Sequence, residues 1–164
     1  MSLKMKSLGL LLLMVLIASC QVEKSNQKEE PISKEEIKIA QDLIQGAFDD
    51  LWGGVDSTKI SKYHTKDFII LEQGEIWDND RIKEYMKRQL ARPNRAKRIN
   101  KMDYISIEKY GNSIQIAYFN EADFTRADTL VGKAKWLESA VAFLAHSIGC
   151  FAVICMTSAA FYLY

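Results

Sequence analysis

The side chains best suited to chemistry in this sequence are one histidine, a set of aromatic residues near a carboxylate, and a run of cations. His64 precedes a short apolar strand and can act as an acid or base, since an imidazole ordinarily titrates at about 6.5. A loop residue at the surface is the other reading of it. Trp77, Tyr85, Tyr104, Tyr118 and Trp136 could line a pocket for a flat apolar ligand, with phenol hydroxyls orienting a carbonyl. Core packing is the alternative, because aromatic residues at alternating strand positions pack a core by default. Tyr118, Asn120 and Ala122 share one face of a strand, as Trp136 and Glu138 do on the next, so Glu138 joins the ligand-binding candidates. No His/Cys/Asp cluster has metal-ligand spacing, and no metal is expected.

Lys83, Lys87, Arg88, Arg92, Arg95, Lys97, Arg98 and Lys101 form an almost wholly basic run in which Tyr85 is the one aromatic residue. It reads as a helix end and loop kept soluble by charge, with anionic lipid head groups as the other possible contact. The whole chain carries 22 basic and 21 acidic residues, so no global field points to nucleic acid, and none is expected as a partner. A Gly-x-Ser-x-Gly elbow, a phosphate loop and a dinucleotide fingerprint are all missing, and no cofactor is expected.

The N-terminus supplies an address. Lys4 and Lys6 precede an apolar run from Leu8 to Ala18, which leads through Ser19 into Cys20. This is the build of a secretion signal, and it is shorter than the roughly 20 apolar residues a spanning helix needs. With Ile17-Ala18-Ser19-Cys20 at its end it resembles a bacterial lipoprotein signal. The resemblance implies cleavage after residue 19, acylation of Cys20, and a lipid bilayer as partner. Gln21 after that cysteine resembles the pattern of lipoproteins sent to an outer membrane, so the expected site is the cell envelope, facing the periplasm. Residues 20–32 read as the lipidated cysteine and a solvated tether. About 145 residues follow the cleavage point, enough for one domain with a real core. Cys150 and Cys155 lie five apart in an apolar tail, where a disulfide would need a turn between them.

The elements that must position the candidates are legible in the segment 33–144. Ser33 and Glu36 form a capping box bracketed by Ile32 and Ile37. Ile37, Ala40, Ile44, Ala47, Phe48 and Leu51 then recur at helical spacing, and Gly53-Gly54 is expected to end the helix in a left-handed cap. Asp56 or Ser57 caps a short helix through Tyr63. A strand over Asp67 to Leu71 breaks at Gln73-Gly74 and returns over Glu75 to Trp77. Asp78 caps a third helix that Arg92-Pro93 stops. Strands over Lys101 to Lys109 and Ser113 to Phe124 form a hairpin, and a turn near Asp128 and Gly132 leads to a strand over Lys133 to Leu144. Helices followed by a meander predict segregated α+β architecture.

This order of elements, with Tyr63-His64-Thr65-Lys66-Asp67-Phe68-Ile69-Ile70-Leu71-Glu72, Gly74-Glu75-Ile76-Trp77 and Lys135-Trp136-Leu137-Glu138-Ser139-Ala140-Val141, resembles the nuclear transport factor 2-like superfamily, in its SnoaL-like and ketosteroid-isomerase-like branch. The resemblance implies a cone: a strongly curved antiparallel sheet wrapped around the long first helix, enclosing an apolar pocket. It implies binding of a small apolar or amphipathic molecule, cofactor-free isomerase or cyclase chemistry, or a structural homodimer. It also makes Glu72 a catalytic candidate, close to where such isomerases place a carboxylate general base, with a solvent-facing glutamate as the alternative. The chain departs from the family pattern after residue 144, where the tail to Tyr164 carries no Asp, Glu, Lys or Arg. A closing apolar strand pair turning at Ser147-Ile148-Gly149, an altered reading frame, and a membrane helix are its three readings.

Overall fold

The computed structural model describes residues 31–72, 74–144 and 151–163. The signal, Cys20, most of the tether, Cys150 and the turn at 147–149 lie outside the described residues. Helix α1 (Lys34–Ala47) starts at Ser33, whose Oγ accepts from the Glu36 amide at 3.1 Å while the Ser33 amide donates to Glu36 Oε2 at 2.8 Å. Lys109 then reaches Glu36 Oε1 at 2.7 Å, and this hydrogen bond, above the two from Ser33, holds the carboxyl well below its usual range. The cap therefore also pins the helix start to the sheet. Ser33→Ala should cost about 1 kcal/mol of stability by urea unfolding, and an unchanged midpoint would show the cap to be redundant.

Ala40, Ile44 and Ala47 bury one face of α1, and Phe48 and Leu51 continue it through a widened π turn (Phe48–Gly53). The end of this helix differs from the expectation. Gly54 has φ −73° and is not left-handed. Its missing side chain matters because a Cβ would sit 2.8 Å from the Asp50 carbonyl oxygen. The positive φ, +59°, falls instead on buried Val55, a conformation that is strained for a β-branched residue. A wide turn releases carbonyls from the regular ladder, and Arg95 donates to the Gly53 oxygen at 3.2 Å.

Asp56 caps a 3-10 turn (Ser57–Lys59) that leads into α2 (Ile60–Tyr63). Next come β1 (His64–Glu72), β2 (Glu75–Asp78) and α3 (Asn79–Leu90), the last capped by the Asp78 carboxylate on the Arg81 amide at 2.8 Å. The strands β3 (Lys97–Tyr110), β4 (Ser113–Arg126) and β5 (Thr129–Leu144) each run longer than expected. The β4–β5 turn is tighter than expected too. Ala127 and Asp128 both have positive φ (46° and 61°), the signature of a two-residue hairpin turn. Gly132 lies within β5, opposite Phe124 where the register shifts.

Residues 151–163 form a further strand, β6 (Phe151–Leu163), and the sheet order is β2-β1-β6-β5-β4-β3. All pairs are antiparallel except β1 with β6. The result is α+β, a curved and unclosed sheet around α1. Register shifts in β1, β3, β4 and β5 supply the bends such curvature needs. No helix among the described residues is long and apolar enough to cross a membrane.

Candidate functional site

Because paired residues share a face of the sheet, the register sorts the inner face into rows. Toward one end Ile107, Ile116, Ala140 and Ile70 lie in line, with Met156 between the last two. The described members of this row pack against the helix core. The next row is different: Tyr104, Tyr118 and Glu138 lie in line, and Ser158 of β6 connects Glu138 to Glu72. Beyond it lie Met102, Asn120 and Trp136, then Asn100 with Ala122, then Arg98 with Phe124. The face thus passes from apolar to polar along the strands.

Glu138 is the centre of the polar rows. It is buried, and Asn120 Nδ2 donates to its Oε2 at 3.4 Å. Burial pushes its pKa up to about 7, against the pull of Tyr118, Arg98 and Asn120, and the Glu72 charge adds a small upward push. Tyr118 is fully buried, and that burial, reinforced by the Glu138 charge, raises its pKa well above the usual phenol range. Its hydroxyl lies close enough to Glu138 to help ionise it, yet makes no well-formed hydrogen bond. Asn120 Oδ1 is also buried without a partner. Buried polar atoms are nearly always satisfied, so two orphans beside one carboxyl mark a place prepared for polar contact.

Arg98 covers this cluster. Its guanidinium lies 4.6 Å from the Trp136 ring, with Phe48, Phe124 and Trp52 at 5.7 to 5.9 Å. Its Nε donates to Asn100 Oδ1 at 2.8 Å. Burial lowers its pKa, and the Glu138 charge is the main opposing influence. On its outer side lies a cavity of about 270 Å³ lined by Trp52, Tyr85 and Phe124, by Arg92, Arg95, Arg98 and Arg126, and by smaller or polar neighbours.

The residues singled out from sequence fall in different places. Glu72 is half-buried at the end of β1, two strands from Glu138, and its charge acts on both Glu138 and Arg98. His64 lies eight residues back along β1, about 25 Å away at strand spacing, so the two catalytic candidates are not brought together. Its ring is buried, stacked 3.5 Å from Phe68, with Nδ1 2.9 Å from Asn79 Oδ1. Burial depresses its pKa to about 4 against that hydrogen bond. Tyr85 lines the cavity and joins Trp52 to Trp77 at 5.7 and 5.4 Å. Trp77 is half-buried and donates to Glu75 at 3.2 Å. Tyr104 spends its hydroxyl on the Gln41 carbonyl at 2.9 Å, and burial lifts its pKa to about 12. Trp136 lies under Arg98. Arg98 itself was hidden in the basic run. The signal that could have found it is Arg98-Asn100-Met102-Tyr104, an inward alternation that begins inside that run and continues past its end. Among the described residues no group of three or more His, Cys, Asp or Glu could hold a metal ion.

No protein-family model matches the sequence, and no curated protein matches it. Solved structures do. A nuclear transport factor 2-like protein from Cytophaga hutchinsonii is 13% identical with a TM-score of 0.56, over 79% of this chain and 100% of that one. A nuclear transport factor 2-like superfamily protein from Salmonella enterica serovar Typhimurium is 15% identical with a TM-score of 0.58, over 77% and 89%. The CaMKII hub of S. rosetta is 11% identical with a TM-score of 0.60, over 80% and 100%. The chain has the nuclear transport factor 2-like fold.

Proposed function

We propose that this chain is a small-molecule-binding module, tethered to the cell-envelope membrane through a lipidated Cys20, that receives its ligand on the concave face of the sheet. The observation that carries the reading is the buried Tyr118–Asn120–Glu138 cluster, with two polar atoms lacking partners on a face that also carries Tyr104, Trp136 and an apolar row. A ligand carbonyl or hydroxyl is the natural partner for such atoms, and the surrounding rings suit an apolar body. Native mass spectrometry of the full chain extracted from its own membrane tests both parts. A diacylated Cys20 and a non-covalent adduct are expected, with the adduct lost in Tyr118→Phe together with Glu138→Gln. A ligand-free, unacylated mass would sink the reading.

The raised pKa of Glu138 favours one second reading, a cofactor-free isomerase or cyclase. A carboxyl titrating at about 7 can take up and return a proton near neutrality, with Tyr118 facing the developing oxyanion. Here Glu138, deeper than Glu72, is the base, and Glu72 tunes it. The expected sign is deuterium exchange into the bound ligand in D₂O, rising with pH through about 7 and abolished in Glu138→Gln while binding persists. Exchange unaffected by that substitution would exclude Glu138 as the base. The outer face of the sheet leaves Ile105, Leu137 and Phe143 exposed at 55, 40 and 38%, which is what a homodimer would need. Sedimentation as a monomer would count against that role.

A further inference from the structure

The arginines of this protein divide cleanly. The sequence contains six. The two that lie away from the cavity each hold a carboxylate: Arg81 with Glu75, and Arg88 with Glu84 at 3.9 Å. The four that line it, Arg92, Arg95, Arg98 and Arg126, hold none among the described residues. Their hydrogen-bonding partners are neutral: the Gly53 carbonyl for Arg95 and the Asn100 side chain for Arg98. Four like charges around one small cavity repel each other and oppose folding there. The helix dipole accounts for a cation just beyond α3, which covers Arg92. It does not account for Arg98 on β3 or Arg126 at the far end of β4, which the hairpin register brings to the same end of the sheet.

From this convergence, and resting on the binding-module reading, we infer that the ligand is a compact aromatic or similarly planar carboxylate, its anionic group held by the arginines that line the cavity. Guanidinium groups are suited to this work because their planar forks meet a carboxylate through paired hydrogen bonds. Trp52, Tyr85 and Phe124 supply flat apolar walls beside them. The volume, about 270 Å³, falls just under the roughly 300–1,000 Å³ of pockets for drug-sized molecules, so the ligand is small. The charges also set its orientation. Glu138 and Glu72 lie in the Tyr104–Tyr118 row of the sheet, outside the cavity lining, and repel an anion, so the carboxylate stays at the cavity and any neutral polar end of the ligand points toward that row.

Calorimetric titration of the full chain with 2-naphthoate and with its neutral isostere 2-naphthamide tests the inference. The carboxylate should bind at least about tenfold more tightly, as expected for loss of charge-assisted hydrogen bonds. Arg92→Gln and Arg126→Gln, both at exposed positions, should bring it close to the amide, whereas Arg88→Gln should leave it unchanged. Equal affinity for the two probes would overturn the inference while leaving the binding module intact. Tighter carboxylate binding that survives Arg92→Gln, Arg95→Gln and Arg126→Gln combined would also overturn it, because a single cavity arginine would be left to hold the anion. Binding of neither probe would count against the inference and the module together.

Discussion

Glu138→Gln should make the protein acid-sensitive in a range where the parent is not, losing about 3 kcal/mol of unfolding free energy between pH 7 and pH 4. The reason is that two buried groups with opposite shifts offset one another. His64 titrates at about 4 in the fold against 6.5 as an ordinary imidazole. The unfolded chain therefore takes up this proton first. Its contribution is complete above pH 6.5 and is lost as the pH falls toward 4. Glu138 titrates at about 7 against an ordinary 4.5. Here the folded chain takes up the proton first, so stability is gained as the pH falls from 7 to 4.5 and lost as it rises through 7. Each shift corresponds to about 3 kcal/mol at 1.36 kcal/mol per unit, and between pH 6.5 and 4.5 the two slopes cancel. A glutamine does not titrate, so the variant exposes the His64 slope alone. His64→Asn should show the reverse, a gain on acidification over the same interval. Urea midpoints taken across the range measure both curves. Parallel curves for parent and Glu138→Gln would mean that the Glu138 shift is absent, and a flat curve for the variant that the His64 shift is.

Phe68→Ala should lower stability by about 3–5 kcal/mol, a large part of the roughly 5–15 kcal/mol that holds a domain of this size together. Phe68 is 1% exposed, belongs to the central core, and covers one face of the His64 imidazole in a stack tilted by only 8°. Removing the ring leaves a cavity that the strand cannot close, because β1 is paired on both edges. The histidine also loses what keeps water from it. Its pKa should climb from about 4 back toward 6.5, which NMR titration of the ring protons reads independently of stability. A loss under about 1 kcal/mol, or an imidazole still titrating near 4, would show that other neighbours provide the burial.

The local rules of the fold were legible where one side chain answers to one backbone group. Ser33 with Glu36 and Asp78 before α3 act as the sequence predicts, because a capping carboxylate or hydroxyl needs only the next turn of chain. The resemblance to the superfamily predicted the curved sheet around the first helix, and the architecture agrees. What could not be read were properties that arise between strands. Glu138 stood out only as a polar residue beside Trp136. Its titration near neutrality comes from burial, held in check by Tyr118, Asn120 and Arg98, and neither the burial nor these neighbours exist until β3 and β4 pair beside β5. Arg98 was obscured by its neighbours, since seven other cations around it gave the appearance of a uniformly solvated stretch. Starting β3 at Lys97 turns that arginine inward. The end of the first helix misled for a related reason. Gly54 is required by a close approach of the Asp50 carbonyl, which a one-dimensional pattern cannot distinguish from a left-handed cap.

The position of β6 bears on how the molecule comes to be assembled. β1 meets the strands β5, β4 and β3 only through β6, and Ile70 waits for Met156, 86 positions later, to complete its pairing. Without β6 the strands can pair only as two fragments, β2 with β1 and β5 with β4 and β3, each presenting an open edge of unpaired amides and carbonyls. Such edges are templates for joining the wrong chain, and pairings this distant form slowly. A chain interrupted before Phe151 would not be a slightly shorter version of this protein. It would be two incomplete sheets on one helix, with the Glu72 and Glu138 strands no longer joined.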